Sequence, residues 1–159
     1  MIALAREVHT LIRPLVADDR SEWLDLWRGY LKFYEALEVI GVADATFALV
    51  SESHGTAFGL IAESGSRSIG LAHIVIHAST WSRGPRACLQ DLFVAPAARG
   101  RGVGGALIEA AAHAADEAGA CQFYWMTQVT NAPARQLYDR VGHLTEFIKY
   151  ERPLVADRT

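Results

Sequence analysis

Between Leu89 and Ala110 the chain reads Leu-Gln-Asp-Leu-Phe-Val-Ala-Pro-Ala-Ala-Arg-Gly-Arg-Gly-Val-Gly-Gly-Ala-Leu-Ile-Glu-Ala. No other stretch limits the fold so tightly. The apolar run Ala87–Val94 reads as a strand, and Ala95-Pro96 stops it. Gly100, Gly102, Gly104 and Gly105 then open a long alanine-rich helix from about Gly102 to Glu117, with Gly119 in the usual C-terminal position. Glycine removes the side chains that would keep a ligand from the backbone, and the first helical turn leaves several N–H groups without partners. Those donors and the positive end of the helix dipole favour phosphate, and Arg99 and Arg101 add charge at the same place. A phosphate-bearing ligand is the sharper reading; the plainer one is a glycine loop that serves only tight strand–helix packing.

Two familiar phosphate loops fail. No Gly-Lys-Ser/Thr follows, so this is not a Walker loop. Gly100, Gly102 and Gly105 do satisfy G-x-G-x-x-G, but a dinucleotide fold wants an acidic residue about 20 positions on, at the end of the next strand. The next strand candidate, Cys121–Gln128, contains no Asp or Glu.

The remaining periodicities predict strands over Val8–Leu15, Ala57–Glu63, Ser68–His77 and Thr145–Glu151, with the turn Ser64-Gly65-Ser66-Arg67 joining Ala57–Glu63 to Ser68–His77. Asp19 stands three residues before Glu22, a capping-box pattern that opens a helix. Trp23, Trp27, Tyr30, Leu31 and Tyr34 give that helix one aromatic face, a core face unless Tyr30 or Tyr34 lines a pocket. The buried side of the glycine-opened helix is expected at Val103, Leu107, Ala110 and Ala114, and a short helix covers Pro133–Arg140. The order β-α-β-β-β-α-β-α-β mixes hairpins with strand–helix–strand crossovers, which is an α+β layered sheet.

A chain of 159 residues is one ordinary domain. Its net charge of −3 argues against nucleic-acid binding through bulk charge. Cys88 and Cys121 lie in apolar runs without metal-ligand spacing, so reduced core thiols and no metal site are expected. The start, MIALAREVHT, lacks the uninterrupted apolar stretch of a signal peptide, and no run reaches a membrane span. The expectation is a cytoplasmic protein with no membrane or nucleic-acid partner.

The strand–glycine–helix arrangement is similar to the GNAT superfamily of acyl-CoA-dependent N-acetyltransferases, whose central motif Arg/Gln-x-x-Gly-x-Gly/Ala is matched by Arg99, Gly102 and Gly104. A second block, Asn131-Ala132-Pro133-Ala134-Arg135-Gln136-Leu137-Tyr138 followed by Gly142, resembles the family independently. The strings Trp27-Arg28-Gly29-Tyr30, Phe33-Tyr34, Ser79-Thr80-Trp81-Ser82, Gln90-Asp91-Leu92-Phe93-Val94 and Tyr124-Trp125-Met126-Thr127 resemble the branch holding the fungal histone/polyamine acetyltransferases and their bacterial relatives. The resemblance runs from about Trp23 to Arg152. It implies a single N-acetyltransferase domain over residues 1–159, with a core of about 8–152. The implied sheet is central, mixed and mostly antiparallel, flanked by about four helices, with a splayed strand pair at the cofactor site.

The same resemblance implies acetyl-CoA, with Arg99, Gly100, Arg101, Gly102, Val103, Gly104 and Gly105 around its pyrophosphate. Leu92, Phe93 and Val94 would pair with the pantetheine amides, Asn131 and Ala134 would line that arm, and Tyr138 would point at the thioester sulfur as the catalytic donor. Direct transfer to an amine is expected, without an acyl-Cys88. An alkyl amine with pKa near 10 is only about 0.1% neutral at pH 7, so something must take or select against its proton. In the polyamine enzymes a glutamate stands where this chain has Gln90, which cannot act as a base. Strand alternation puts Asp91 on the face opposite Gln90. His73 and His77 have suitable intrinsic pKa values but are expected to be structural. Tyr34, Trp81, Gln90, Asp91 and Trp125 are the substrate-side candidates, with Tyr34, Trp81 and Trp125 walling a closed pocket for a small primary amine. A protein lysine or N-terminus as acceptor, and a non-catalytic acyl-CoA sensor, stay open. A homodimer is implied by analogy, through the aromatic C-terminal strand.

Overall fold

Five segments rich in β-branched and aromatic residues pair into one open sheet in the order β1-β2-β3-β4-β5: β1 (Thr10–Pro14), β2 (Ala57–Ser64), β3 (Arg67–His77), β4 (Arg86–Val94) and β5 (Gln122–Trp125). This is a computed structural model, and it describes residues 9–52 and 55–152. The chain divides into two units, one up to Met126 and one from Thr127. The sheet belongs to the first.

From β1 to β4 neighbouring strands are antiparallel, with helices α1 (Arg20–Phe33) and α2 (Val42–Ser51) inserted between β1 and β2 and loops joining β2 to β3 and β3 to β4. β5 is parallel to β4, because helix α3 (Val103–Glu117) carries the chain back across the sheet. Helices α1 and α2 cover one face and α3 covers the other. Coverage on both sides explains why β3 is buried continuously from Gly70 to Ile74 instead of alternating. Under α1 and α2, Trp23, Trp27, Phe47, Ile61, Leu71 and Phe93 form the core. Facing α3, Gly70 lies against Val103 and Leu107, where a Cβ would come within 3.1 Å of Leu107 Cδ1.

The predicted strands and helices around β2, β3, β4 and α3 are present within a residue or two. The first strand begins at Thr10; Val8 lies outside the described residues. Elsewhere the structure differs from the sequence reading. Helix α2 is absent from the sequence reading: Val42, Ala45, Ala48 and Leu49 make it apolar all round and blur the stripe of Ala43, Phe47 and Val50 that meets the core. Asp19 and Glu22 do not form a capping box: Asp19 reaches back to the Val16 amide and to Arg13, while Glu22 accepts from the Ser68 amide. On α3 the fully buried residues are Val103, Leu107, Ile108, Ala111 and Ala115, so Ala110 and Ala114 flank the buried stripe. The strand expected over Cys121–Gln128 is limited to Gln122–Trp125, because β5 pairs only with Arg86–Leu89. Residues 145–151 form no strand: no described strand pairs with them, and Leu144, Phe147, Ile148 and Tyr150 are exposed. Cys88 is buried as expected, whereas Cys121 is exposed and donates to Ser82 Oγ.

In the second unit, Pro133 in the first turn and Asn131 before it start helix α4 (Ala132–Val141). No helix among the described residues is long and apolar enough to cross a membrane.

Candidate active site

The turn between β4 and α3 is shaped by two glycines with positive φ, Gly100 at 74° and Gly102 at 81°. A Cβ at either would meet nothing within 4 Å, so glycine is required here by the left-handed backbone and not by crowding. Gly102 is the N-cap of α3 and provides no side-chain cap. The first helical bond runs from the Ala106 amide to the Gly102 carbonyl, so the amides of Val103, Gly104 and Gly105 precede the helical ladder. Val103 is buried and anchors the turn against the core, while Arg101 is exposed. Arg99 is tied down: its Nε donates to the Val94 carbonyl at 2.9 Å and its guanidinium lies over Phe93 and Phe33 at 5.6 and 5.7 Å. It therefore staples the turn to the end of β4.

The β4 segment feeding this turn is half-bare. Its last pair with β5 is Leu89 with Trp125, so among the described residues only the β3 side of the strand is paired from Gln90 to Val94. Phe93, expected at the cofactor, turns its side chain into the core under Gly29, and Leu92 and Val94 are half-buried. What this segment offers a ligand is its backbone edge, with the Val94 carbonyl already accepting from Arg99.

Sequence reasoning missed a bulge at this point. Ile74 pairs with Leu89 but His73 pairs with Asp91, which leaves Gln90 as the extra residue. The bulge breaks strict alternation, so Asp91 is not sent to the face opposite Gln90. Gln90 is exposed with Oε1 4.0 Å from Cys88 Sγ, and Asp91 reaches the ring of His73, on the α1 side of the sheet.

His73 is 2% exposed and bonded at both nitrogens. Trp23 Nε1 donates to its Nε2 at 2.9 Å, and its Nδ1 lies 2.9 Å from Asp91 Oδ2. An indole N–H can only donate, so Nε2 is the bare nitrogen and Nδ1–H donates to the carboxylate. His77 follows the same rule: its Nδ1 donates to the Ala78 carbonyl and its Nε2 accepts from the Tyr124 hydroxyl, both at 2.9 Å. Neither histidine keeps an uncommitted basic nitrogen. Tyr124 also sits within hydrogen-bond reach of Cys88; burial pushes both the Cys88 thiol and the Tyr124 phenol up. A thiol held protonated is a poor nucleophile.

The other substrate-side candidates are spread out. Tyr34 caps the end of α1 and packs edge-on against Tyr30 and Phe33. Trp81 is 81% exposed in the β3–β4 loop with the Arg86 guanidinium 5.7 Å from its ring centroid. Arg86 and Phe93 are roughly 20 Å apart along β4 at ordinary strand rise, so Tyr34 and Trp81 belong to opposite ends of the sheet. Trp125 closes β5 and packs on Phe123. In the second unit, Asn131 is the cap of α4, accepting from the Ala134 amide and donating to Thr127 Oγ1. Tyr138 is half-buried one turn after Ala134. Among the described residues no group of His, Cys, Asp and Glu can hold a metal ion.

The model of the Acetyltransferase (GNAT) family matches residues 17–143. The D-amino-acid N-acetyltransferase HPA3 of Saccharomyces cerevisiae is 32% identical over 145 residues, covering 89% of each chain. The uncharacterized N-acetyltransferase YhfO of Bacillus subtilis is 33% identical over 141 residues, covering 87% of this chain and 94% of its own. Among solved structures, the aminoglycoside acetyltransferase AAC(6')-Iy in complex with a bisubstrate analogue of CoA superposes with a TM-score of 0.81 at 21% identity, over 92% of this chain and 99% of that one. An aminoglycoside acetyltransferase from an uncultured soil metagenomic sample gives 0.78 at 18% identity, over 91% and 96%. At these identities the two structures share the fold.

Proposed function

The chain belongs to the GNAT acetyltransferase family and is an acyl-CoA-dependent acetyltransferase that uses acetyl-CoA; from that premise we propose that it acetylates the primary amine of a small molecule, an amino acid or a polyamine, by direct transfer. One observation carries the reading: the glycine-opened start of α3 directly follows the β4 segment that has lost its second strand partner. The amides of Val103, Gly104 and Gly105, the open space beside Gly100 and Gly102, and the charge of Arg101 fit a diphosphate. The backbone edge from Leu92 to Val94 suits the amides of a pantetheine arm, as an added strand would. When bound, acetyl-CoA supplies the acetyl group as a thioester.

The chain's own groups then orient and exchange protons. Gln90 and Asp91 present polar atoms on the α1 side of β4, where the amine is held. Cys88 stays a protonated thiol, which supports attack by the amine without an acyl-enzyme. The leaving thiolate, with a pKa near 8.5, needs only a modest donor, and the family resemblance nominates the Tyr138 hydroxyl. The relatives named for D-amino acids and aminoglycosides support a small acceptor over a protein. A homodimer is part of the proposal: the exposed apolar residues Leu144, Phe147, Ile148 and Tyr150 support it, and sedimentation tests it.

The experiment is an acetyl-CoA thiol-release screen over amino acids of both hands, polyamines, aminoglycosides and lysine peptides. Release above background with a small amine is expected. Release with peptides alone points to a protein acceptor, and coenzyme binding without any release points to a sensor.

A further inference from the structure

We propose that Trp23 and His73 form a buried positioning device that fixes the Asp91 carboxylate for the acceptor amine. The inference rests on the acetyltransferase reading above and assigns the proton acceptor that Gln90 cannot be.

The donors run in one direction, from indole to imidazole to carboxylate. Trp23 is fully buried, His73 is 2% exposed, and the Asp91 side chain is 13% exposed at the outer end of the chain. The indole N–H fixes the tautomer, since a ring protonated at Nε2 would place two donors face to face. Trp23 and Trp27, stacked on each other, both pack against the imidazole, with ring centroids 5.9 and 5.5 Å away. The His73 ring can neither rotate nor change tautomer without losing a buried hydrogen bond.

The chain of bonds ends at a particular place on β4. Asp91 is the first residue paired with β3 beyond the Gln90 bulge, in the segment without a β5 partner. His73 Nδ1–H takes one lone pair of Oδ2, and an ionised carboxylate has about four. The remaining ones serve the amine. The ammonium first loses a proton to water, and as the resulting neutral nitrogen bonds to the acetyl carbonyl carbon it becomes cationic again. A carboxylate accepting its N–H stabilises that charge and takes the proton. The carbon–sulfur bond breaks, the thiolate is protonated from solvent or its donor, and Asp91 passes its proton to water. His73 touches none of the reacting atoms: it is a positioning residue, and Asp91 is the catalytic one.

The test compares Asp91→Asn, His73→Gln, Trp23→Phe and the double variant His73→Gln/Asp91→Asn with wild type, together with nitrogen-15 NMR of the His73 ring. Asp91→Asn is expected to lower kcat about 100-fold, the ordinary size of a general-base contribution, with KM for acetyl-CoA within about twofold. Trp23→Phe keeps the aromatic filling but removes the donor, and is expected to lower kcat roughly fivefold to tenfold with the same unchanged KM. The double variant should lose no more kcat than Asp91→Asn alone; multiplied losses would overturn the inference. Should His73→Gln fail to fold, Trp23→Phe decides, and unchanged kcat there overturns it. The NMR arm does not depend on turnover: a bare Nε2 and a protonated Nδ1 whose proton shifts in Asp91→Asn are required, and a ring protonated at Nε2 sinks the proposal. A wild type that turns over no small amine removes the small-amine reading instead, and the ring NMR still judges the device.

Discussion

The ring of Phe93 lies so close to the backbone of Gly29 that a Cβ there would come within 2.8 Å of Phe93 Cζ. This contact presses α1 onto the bare end of β4, and Phe93 in turn carries the Arg99 guanidinium.

Gly29→Ala sets two effects against each other. Alanine gains about 1 kcal/mol of helix propensity, while overpacking a filled site costs about 1–3 kcal/mol. The second wins, because the Phe93 ring is buried and held by Tyr30 and the Arg99 guanidinium. A net loss of about 1–2 kcal/mol is expected in urea unfolding, with a several-fold rise in KM for acetyl-CoA as β4 shifts.

At Gly102 the strain is of another kind. An alanine would meet open space, so Gly102→Ala costs only the left-handed backbone, about 1–2 kcal/mol. Gly102→Asn, which tolerates that conformation better, should cost less. Coenzyme titration and thermal melting of both variants check the order; equal losses would mean that side-chain bulk, not φ, is at fault.

Cys88→Ala should retain most of the turnover and show no burst of acyl-enzyme. Burial holds the thiol protonated, so it contributes packing and not chemistry. Rapid-quench kinetics with labelled acetyl-CoA measure this; a covalent acetyl group on Cys88 contradicts it.

Stability should fall in acid through Asp19. Its carboxylate takes paired bonds from Arg13, 2.7 Å each, and one from the Val16 amide, and Arg13 also binds Glu63. The Arg13 bonds hold the Asp19 carboxyl below its usual range. A depressed folded-state pKa gives stability that is present above the unfolded value, near 3.9, and is lost as pH falls through the folded value. Asp19→Asn should therefore cost about 1.5–3 kcal/mol at neutral pH and flatten the acid limb of a melting-temperature profile.

What the sequence could and could not announce follows from the range of each interaction. The strand Arg86–Val94, its Pro96 stop and the glycines of the next turn declare themselves because they are local. The second glycine-free block is equally plain, with Asn131 and Pro133 starting α4. Helix α2 is hidden because apolar residues on its other sides mask the helical spacing of Ala43, Phe47 and Val50. The bulge at Gln90 is set by pairing between β3 and β4, so no pattern within β4 reveals it, and strict alternation sends Asp91 the wrong way. Trp23 and His73 are 50 positions apart, and nothing in either neighbourhood marks the bond between them. The string Gln90-Asp91 is visible in the sequence; what holds Asp91 is not.

The most direct measurement is an amide NMR titration of the wild-type protein with coenzyme A and, separately, with its fragment lacking the diphosphate. The amide resonances of Val103, Gly104 and Gly105 are expected to move most with intact coenzyme and to stay nearly still with the fragment. Movement concentrated elsewhere, with these amides unaffected by the intact coenzyme, would contradict a diphosphate site at the start of α3.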